Sequence, residues 1–132
     1  MIDHLGLPVR DIAVSQRFYA AALAPLGYRV MGEETNGLGN NIVLFGVDEV
    51  DFVIADGEPV SAGVHHAFRA ENRAAVDGFH AAALAAGGRD NGAPGLREHY
   101  HPNYYAAFVI DPDGMNVEVV CHTADSFGGV GR

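Results

Sequence analysis

AAFVIDPDGMNVEVVCH, residues 106–122, sets two β-rich runs on either side of Asp111-Pro112-Asp113-Gly114. Pro112 pre-sets φ for a turn and Gly114 is free to take positive φ, so the stretch reads as a β-hairpin. Along its second strand the two-residue period puts Val117, Val119 and Cys121 on one face and Asn116, Glu118, Val120 and His122 on the other. Glu118 is therefore an acid in the interior of an apolar strand. A carboxylate there is costly unless a cation, a metal ion or the water of a cleft compensates it.

Upstream of the hairpin the chain runs through one order of elements twice. Residues 2–9 alternate as a half-buried strand, with Leu5, Leu7 and Val9 on one face and His4 and Gly6 on the other. Asp11 is placed to cap a helix that reaches about Leu23, with Pro25 and Gly27 to end it. Three short β-rich runs follow between Tyr28 and Asp56, which gives βαβββ. After the linker 58–62, VHHAFRA opens a second strand–helix pair with its helix from about Asn72 to Ala86, and further β-rich runs follow. Sliding the chain by 61 positions aligns residues 4–28 with 65–89, and nine of those 25 pairs are identical. Alanine accounts for part of the match, but His4 with His65, Phe18 with Phe79 and Gly27 with Gly88 keep the same offset, which points to a duplication. The expected fold is α+β, with module one at 1–57, module two at 63–122 and a tail at 123–132.

Composition narrows the function. Eight Lys plus Arg against 17 Asp plus Glu give a formal charge of −9, which repels phosphate backbones and anionic membranes, so no nucleic-acid or membrane partner is expected. There is no run of about 18 apolar residues to span a bilayer, and Met1-Ile2-Asp3-His4 lacks the pattern of a secretory signal, so a soluble cytoplasmic protein is expected. The single Cys121 reads as a reduced thiol of the core.

Two sheets of this kind can each turn one face to a helix and the other to a shared cleft. His4 and His65 begin the two first strands on the cleft side, beside the small residues Gly6 and Ala67. With Glu118 they form a two-histidine, one-carboxylate set suited to a divalent ion with open positions. The module-one counterpart of Glu118 falls near Phe52, to within about one residue, where Asp51 is the nearest acid. His66 is the alternative ligand if the strand is read one residue out of register.

The openings HLGLPV and HHAF, the helices FYAAAL and FHAAAL, and the closing DPDGMNVEVV resemble the vicinal oxygen chelate superfamily, which includes glyoxalase I, extradiol dioxygenases, and fosfomycin- and bleomycin-resistance proteins. The resemblance implies a paired βαβββ cleft, a homodimer, and a divalent metal such as Fe, Zn, Ni or Mn on His4, His65 and Glu118. Glyoxalase I has a fourth ligand, a carboxylate, with no clear match here. The implied activity is that of a glyoxalase-like lyase or isomerase, or of an extradiol-type dioxygenase, on a small substrate with neighbouring oxygens. The alternative is a metal-free binding protein of the bleomycin-resistance type.

Beside the metal set, the loop REHYHPNYY gathers donors and aromatic walls. His101 and Tyr105 are the candidates for proton transfer, with Glu118. Arg97, His99 and Tyr104 are the candidates for holding substrate, Arg97 through an anionic group. His80, the repeat counterpart of Tyr19, reads as structural. The glycine-rich tail from Ala124 reads as a loose end or a strap across a neighbouring subunit.

Overall fold

Short polar side chains start both helices. In the computed structural model, which describes residues 1–124, the Asp11 carboxylate accepts from the Ala13 and Val14 amides at 3.0 and 3.2 Å. The Asn72 side-chain oxygen accepts from the Ala75 amide at 2.8 Å. Each bond satisfies amides that a first helical turn leaves unpaired. Helix α1 then spans Ile12–Leu23 and helix α2 Arg73–Ala85, as the sequence predicts. Gly27 takes φ +90° after a short 3-10 turn at Ala24–Leu26. Its repeat partner Gly88 is glycine for a different reason, since a Cβ there would lie 2.5 Å from Val109 Cγ1 and 2.8 Å from Phe18 Cε1.

Strands β1 (Leu5–Pro8), β2 (Arg29–Thr35), β3 (Asn41–Gly46) and β4 (Val50–Ala55) form a sheet in the order β1-β4-β3-β2. Strands β5 (His65–Arg69), β6 (Arg89–Leu96), β7 (Tyr105–Ile110) and β8 (Asn116–Cys121) form a second in the order β5-β8-β7-β6. In both, the first strand runs parallel to the last and the other neighbours are antiparallel. The duplication inferred from the helices thus extends to the strand order, and the fold is the expected α+β pair of βαβββ units. Leu7, Phe45 and Phe52 of the first sheet, Val109, Val117 and Cys121 of the second, and Phe18 and Phe79 of the helices share one core. Among the described residues no helix is long and apolar enough to cross a membrane. The tail reading falls, from residue 125 on, outside the described residues.

The hairpin turn ties the two units together. Gly114, at φ +91°, donates its amide to the Asp111 carbonyl at 3.0 Å. Asp111 Oδ1 accepts the Asp113 and Met115 amides at 2.8 and 2.9 Å. Its Oδ2 accepts the Tyr19 hydroxyl of α1 at 2.5 Å, and Arg10 Nη1 donates to Asp113 Oδ1 at 3.1 Å. The turn of module two is thereby bonded to the helix and strand end of module one.

Because the Tyr19 hydroxyl gives its proton to Asp111, its oxygen is left to accept from His66 Nε2 at 3.2 Å. His66 therefore carries its proton on Nε2, while Nδ1 is buried without a partner among the described residues. Its ring stacks on Phe52 with centroids 5.8 Å apart and planes at 21°. His66 belongs to the core, and the register that sends His65 to the opposite face holds.

Burial, and after it the neighbouring His65, push His66 from 6.5 down to about 4. The unfolded chain therefore protonates this imidazole first as pH falls. The stability present above pH 6.5 is lost on the way down to about 4, by about 3 kcal/mol at most. Burial raises Asp111, so that group acts with the opposite sign as pH rises from 3.8. The difference between wild type and His66→Leu isolates the histidine. Denaturant unfolding should show a shallower fall between pH 6.5 and 4 in the variant, and equal slopes would remove His66 as the cause.

A candidate metal and substrate site on the second sheet

The face of the second sheet turned away from the helices carries His65, Ala67 and Arg69 of β5, Glu118 and Val120 of β8, and Ala106 and Phe108 of β7. The pairing fixes this, since Ala67 stands opposite Glu118, Arg69 opposite Val120 and Phe108 opposite Glu118. Glu118 is 3% exposed. Its Oε1 lies 3.0 Å from His65 Nε2, and its Oε2 accepts the Tyr104 hydroxyl. Burial, and then the bond to Glu118, push the Tyr104 phenol above its ordinary range, so it keeps its proton.

The tautomer of His65 decides what this pair can hold. His65 Nδ1 is 3.1 Å from the Asn116 carbonyl, which can only accept, so the proton sits on Nδ1. A neutral His65 then presents the Nε2 lone pair to a carboxylate oxygen. That contact is repulsive unless a cation, either a proton or a metal ion, lies between them. A nitrogen and a carboxylate oxygen are donors that a divalent ion would accept in place of the proton. The carbonyl on Nδ1 is also the outer partner that orients metal-binding histidines. His65 and Glu118 thus fit as two ligands of a divalent ion.

The third expected ligand is elsewhere. His4 lies just before β1, with Nδ1 2.7 Å from Asp3 Oδ1. It lines with His65 a cavity of about 700 Å³ between the two units. Among the described residues, no three His, Cys, Asp or Glu side chains stand close enough together to hold a metal ion. The module-one counterpart of Glu118 is Val53, paired with Gly6, so it falls one residue past Phe52 and is not an acid. Asp51 accepts the Tyr28 hydroxyl at 3.0 Å instead.

The loop residues divide between the faces. Tyr104 reaches Glu118. His101 Nε2 meets His122 Nδ1 at 2.5 Å with the rings stacked at 22°, and Tyr104 packs edge-on against both. Burial, then Arg69 and His101, hold His122 below its ordinary range. The β8 period already puts His122 on the Glu118 face, but nothing in the sequence joins it to His101.

Tyr105, expected beside the site, is turned the other way. It faces α2, where its hydroxyl donates to Asp77 Oδ1 at 2.6 Å and Arg73 lies 5.0 Å above its ring. Neighbours on a strand point to opposite faces, so Tyr104 and Tyr105 cannot both line the cleft. Arg97, expected to hold an anionic group, is engaged with main-chain oxygens. It donates to the carbonyls of Gly95, Ala106 and Ala93 at 2.7, 3.1 and 2.9 Å, and lies 5.3 Å over Phe108, bracing the irregular β6–β7 pairing. His99 is exposed, with its ring 4.2 Å from that of Tyr100. His80, expected to be structural, bonds Asp90 at 3.0 Å.

The family model described as Glyoxalase/Bleomycin resistance protein/Dioxygenase superfamily matches residues 1–119. The chain belongs to this superfamily. A glyoxalase/bleomycin resistance protein from Albidiferax ferrireducens T118 is 27% identical, with 92% of this chain and 98% of that one covered at a TM-score of 0.73. A glyoxalase I mutant from Zea mays is 22% identical, with 90% of this chain and 46% of that one covered at a TM-score of 0.69. A mutant of the fosfomycin resistance protein FosX from Listeria monocytogenes, in complex with Mn(II) and 1S,2S-dihydroxypropylphosphonic acid, is 15% identical. The match covers 91% of this chain and 90% of that one at a TM-score of 0.67. Comparison with curated proteins gives no match. Of the superfamily ligand positions expected here, the two in the second unit meet within this chain, and the one in the first unit does not join them.

The two tyrosines can be told apart in solution. Tyr105→Phe should lower stability by about 1 kcal/mol through loss of the Asp77 bond, with metal affinity unchanged. Tyr104→Phe strips a donor from a buried carboxylate and should cost about 1–3 kcal/mol. Melting curves and metal titration of both variants check this, and a metal-affinity change in Tyr105→Phe alone would contradict the placement.

Proposed function

We propose that this superfamily member is a metal-dependent enzyme, cytoplasmic and homodimeric, acting on a small molecule with neighbouring oxygens. The reaction is of lyase or isomerase type, or an extradiol-type ring cleavage. One observation carries the reading: a histidine whose Nδ1 proton is held by a carbonyl aims its other nitrogen at a buried carboxylate across 3.0 Å. His65 and Glu118 would hold the ion. His4 of a second copy supplies a further donor, because β1 and β5 are both edge strands, open to an approaching chain.

When bound, the ion supplies Lewis acidity to the substrate's neighbouring oxygens. The protein's own part is positional. The Asn116 carbonyl fixes the ring of His65, and the Tyr104 hydroxyl fixes the carboxylate of Glu118. Ala106, Val120 and Phe108 form an apolar floor that keeps water from that carboxylate. The His101–His122 pair, joined by one shared proton, is the group placed to take or return a proton beside the site. Tyr105 has no part in this.

A metal-free binding protein is the second reading, favoured by the fact that a proton on His65 would also compensate Glu118. Glu118→Gln separates the two. The variant keeps an acceptor for Tyr104, so the apo protein should melt within a few degrees of wild type. Its affinity for divalent metal, measured by calorimetric titration, should fall at least ~10-fold, a scale on which even outer-shell changes act. Equal metal affinity in the two proteins, or no metal binding by wild type, would hand the site to the metal-free reading.

A further inference from the structure

The eight basic residues of this chain are all arginine, and placement singles one out, since Arg17, Arg29 and Arg89 also lack a hydrogen-bond or ion-pair partner among the described residues but do not line the cavity beside His65. Arg10 is bound to Asp113 and the Val60 carbonyl, Arg97 to three carbonyls, and Arg73 lies over Tyr105. Arg69 faces the cavity shared by His4 and His65 and has no hydrogen-bond or ion-pair partner among the described residues. Four carboxylates also line that cavity. Asp3 is engaged by His4 and Asp51 by Tyr28, and neither Asp48 nor Glu71 lies within ion-pairing distance of the guanidinium.

The position of Arg69 relative to the metal pair follows from the strand register. Ala67 is opposite Glu118 and Arg69 is opposite Val120. Arg69 therefore leaves the same face two residues further along, about 6.6 Å at ~3.3 Å per residue. His122 lies two residues beyond Val120 on that face, paired with His101. A guanidinium offers a planar fork that matches the two oxygens of a carboxylate or phosphate. The His101–His122 pair adds a polar edge beside it.

We infer that Arg69, flanked by the His101–His122 pair, is an oxyanion subsite that selects substrates carrying a carboxylate or phosphate head a few bonds from the neighbouring oxygens held at His65 and Glu118. This rests on the reading of the second-sheet face as the substrate site. It assigns to Arg69 the anion-holding role for which the sequence offers Arg97. In a chain of net charge −9, such a subsite also restores local attraction for an anion that the overall field repels.

The test uses the full-length, zinc-loaded protein and three probes, with binding followed by calorimetry and by backbone amide shifts. Glycolate carries neighbouring oxygens alone, malate adds a detached carboxylate and 3-phosphoglycerate a detached phosphate. Malate or 3-phosphoglycerate should bind more tightly than glycolate, and whichever does so identifies the head group. Arg69→Gln should remove that advantage, about tenfold, while leaving glycolate affinity and the melting temperature unchanged. If glycolate binds at His65 and Glu118 but neither detached anion improves on it, or if Arg69→Gln weakens all three equally, the subsite is overturned and the site reading stands. If glycolate shifts no amide near His65 and Glu118, the site reading falls and the subsite with it.

Discussion

The hydroxyl of Tyr19 belongs to a helix of the first βαβββ unit and the carboxylate of Asp111 to the last turn of the second, and their bond at 2.5 Å is buried. A phenol and a carboxylate deprived of water are each costly alone and tolerable together. The pairing therefore fixes how the two units dock. Around it Arg10 reaches Asp113, His66 reaches the Tyr19 oxygen, and Phe52 stacks on His66. The same turn sets the register of β8, and with it the face to which Glu118 points. Asp111 is thus joined by one short turn to the placement of the candidate site.

The duplication built the geometry, and later divergence left the chemistry to one half. Both sheets have the same strand order, with His4 just before the first strand of one and His65 opening the first strand of the other. The second sheet sets Glu118 opposite Ala67, whereas the first sets Val53 opposite Gly6. Without a carboxylate there is nothing to draw His4 inward, and its ring turns to Asp3. This asymmetry explains why a repeat legible in sequence does not double the site.

What sequence reveals and what it hides divide along range. The helix caps Asp11 and Asn72, the Asp111–Gly114 turn and the shared face of His65 and Glu118 all follow from contacts within a few residues or one strand period. The same period, carried one strand back through Phe108, which pairs with Glu118, puts Tyr104 and not Tyr105 on the cleft side. Arg97 escapes the sequence reading because its partners are main-chain carbonyls at a β-irregularity, which no residue pattern announces. The distance of His4 from the His65–Glu118 pair depends on how two sheets pack, through bonds such as Tyr19 to Asp111 that link positions 92 apart.

Adjacent residues His65 and His66 show how one strand assigns opposite chemistry to identical side chains. His66 is sent to the core, where burial disfavours the charged ring and the Tyr19 oxygen takes its one proton. His65 is sent to the cleft, where a carbonyl takes the Nδ1 proton and Glu118 demands a positive partner at Nε2. Their tautomers are therefore reversed, with Nε2 protonated inside and Nδ1 protonated outside. The alternation of the strand, more than the identity of the residues, makes one histidine part of the core and the other part of the candidate site.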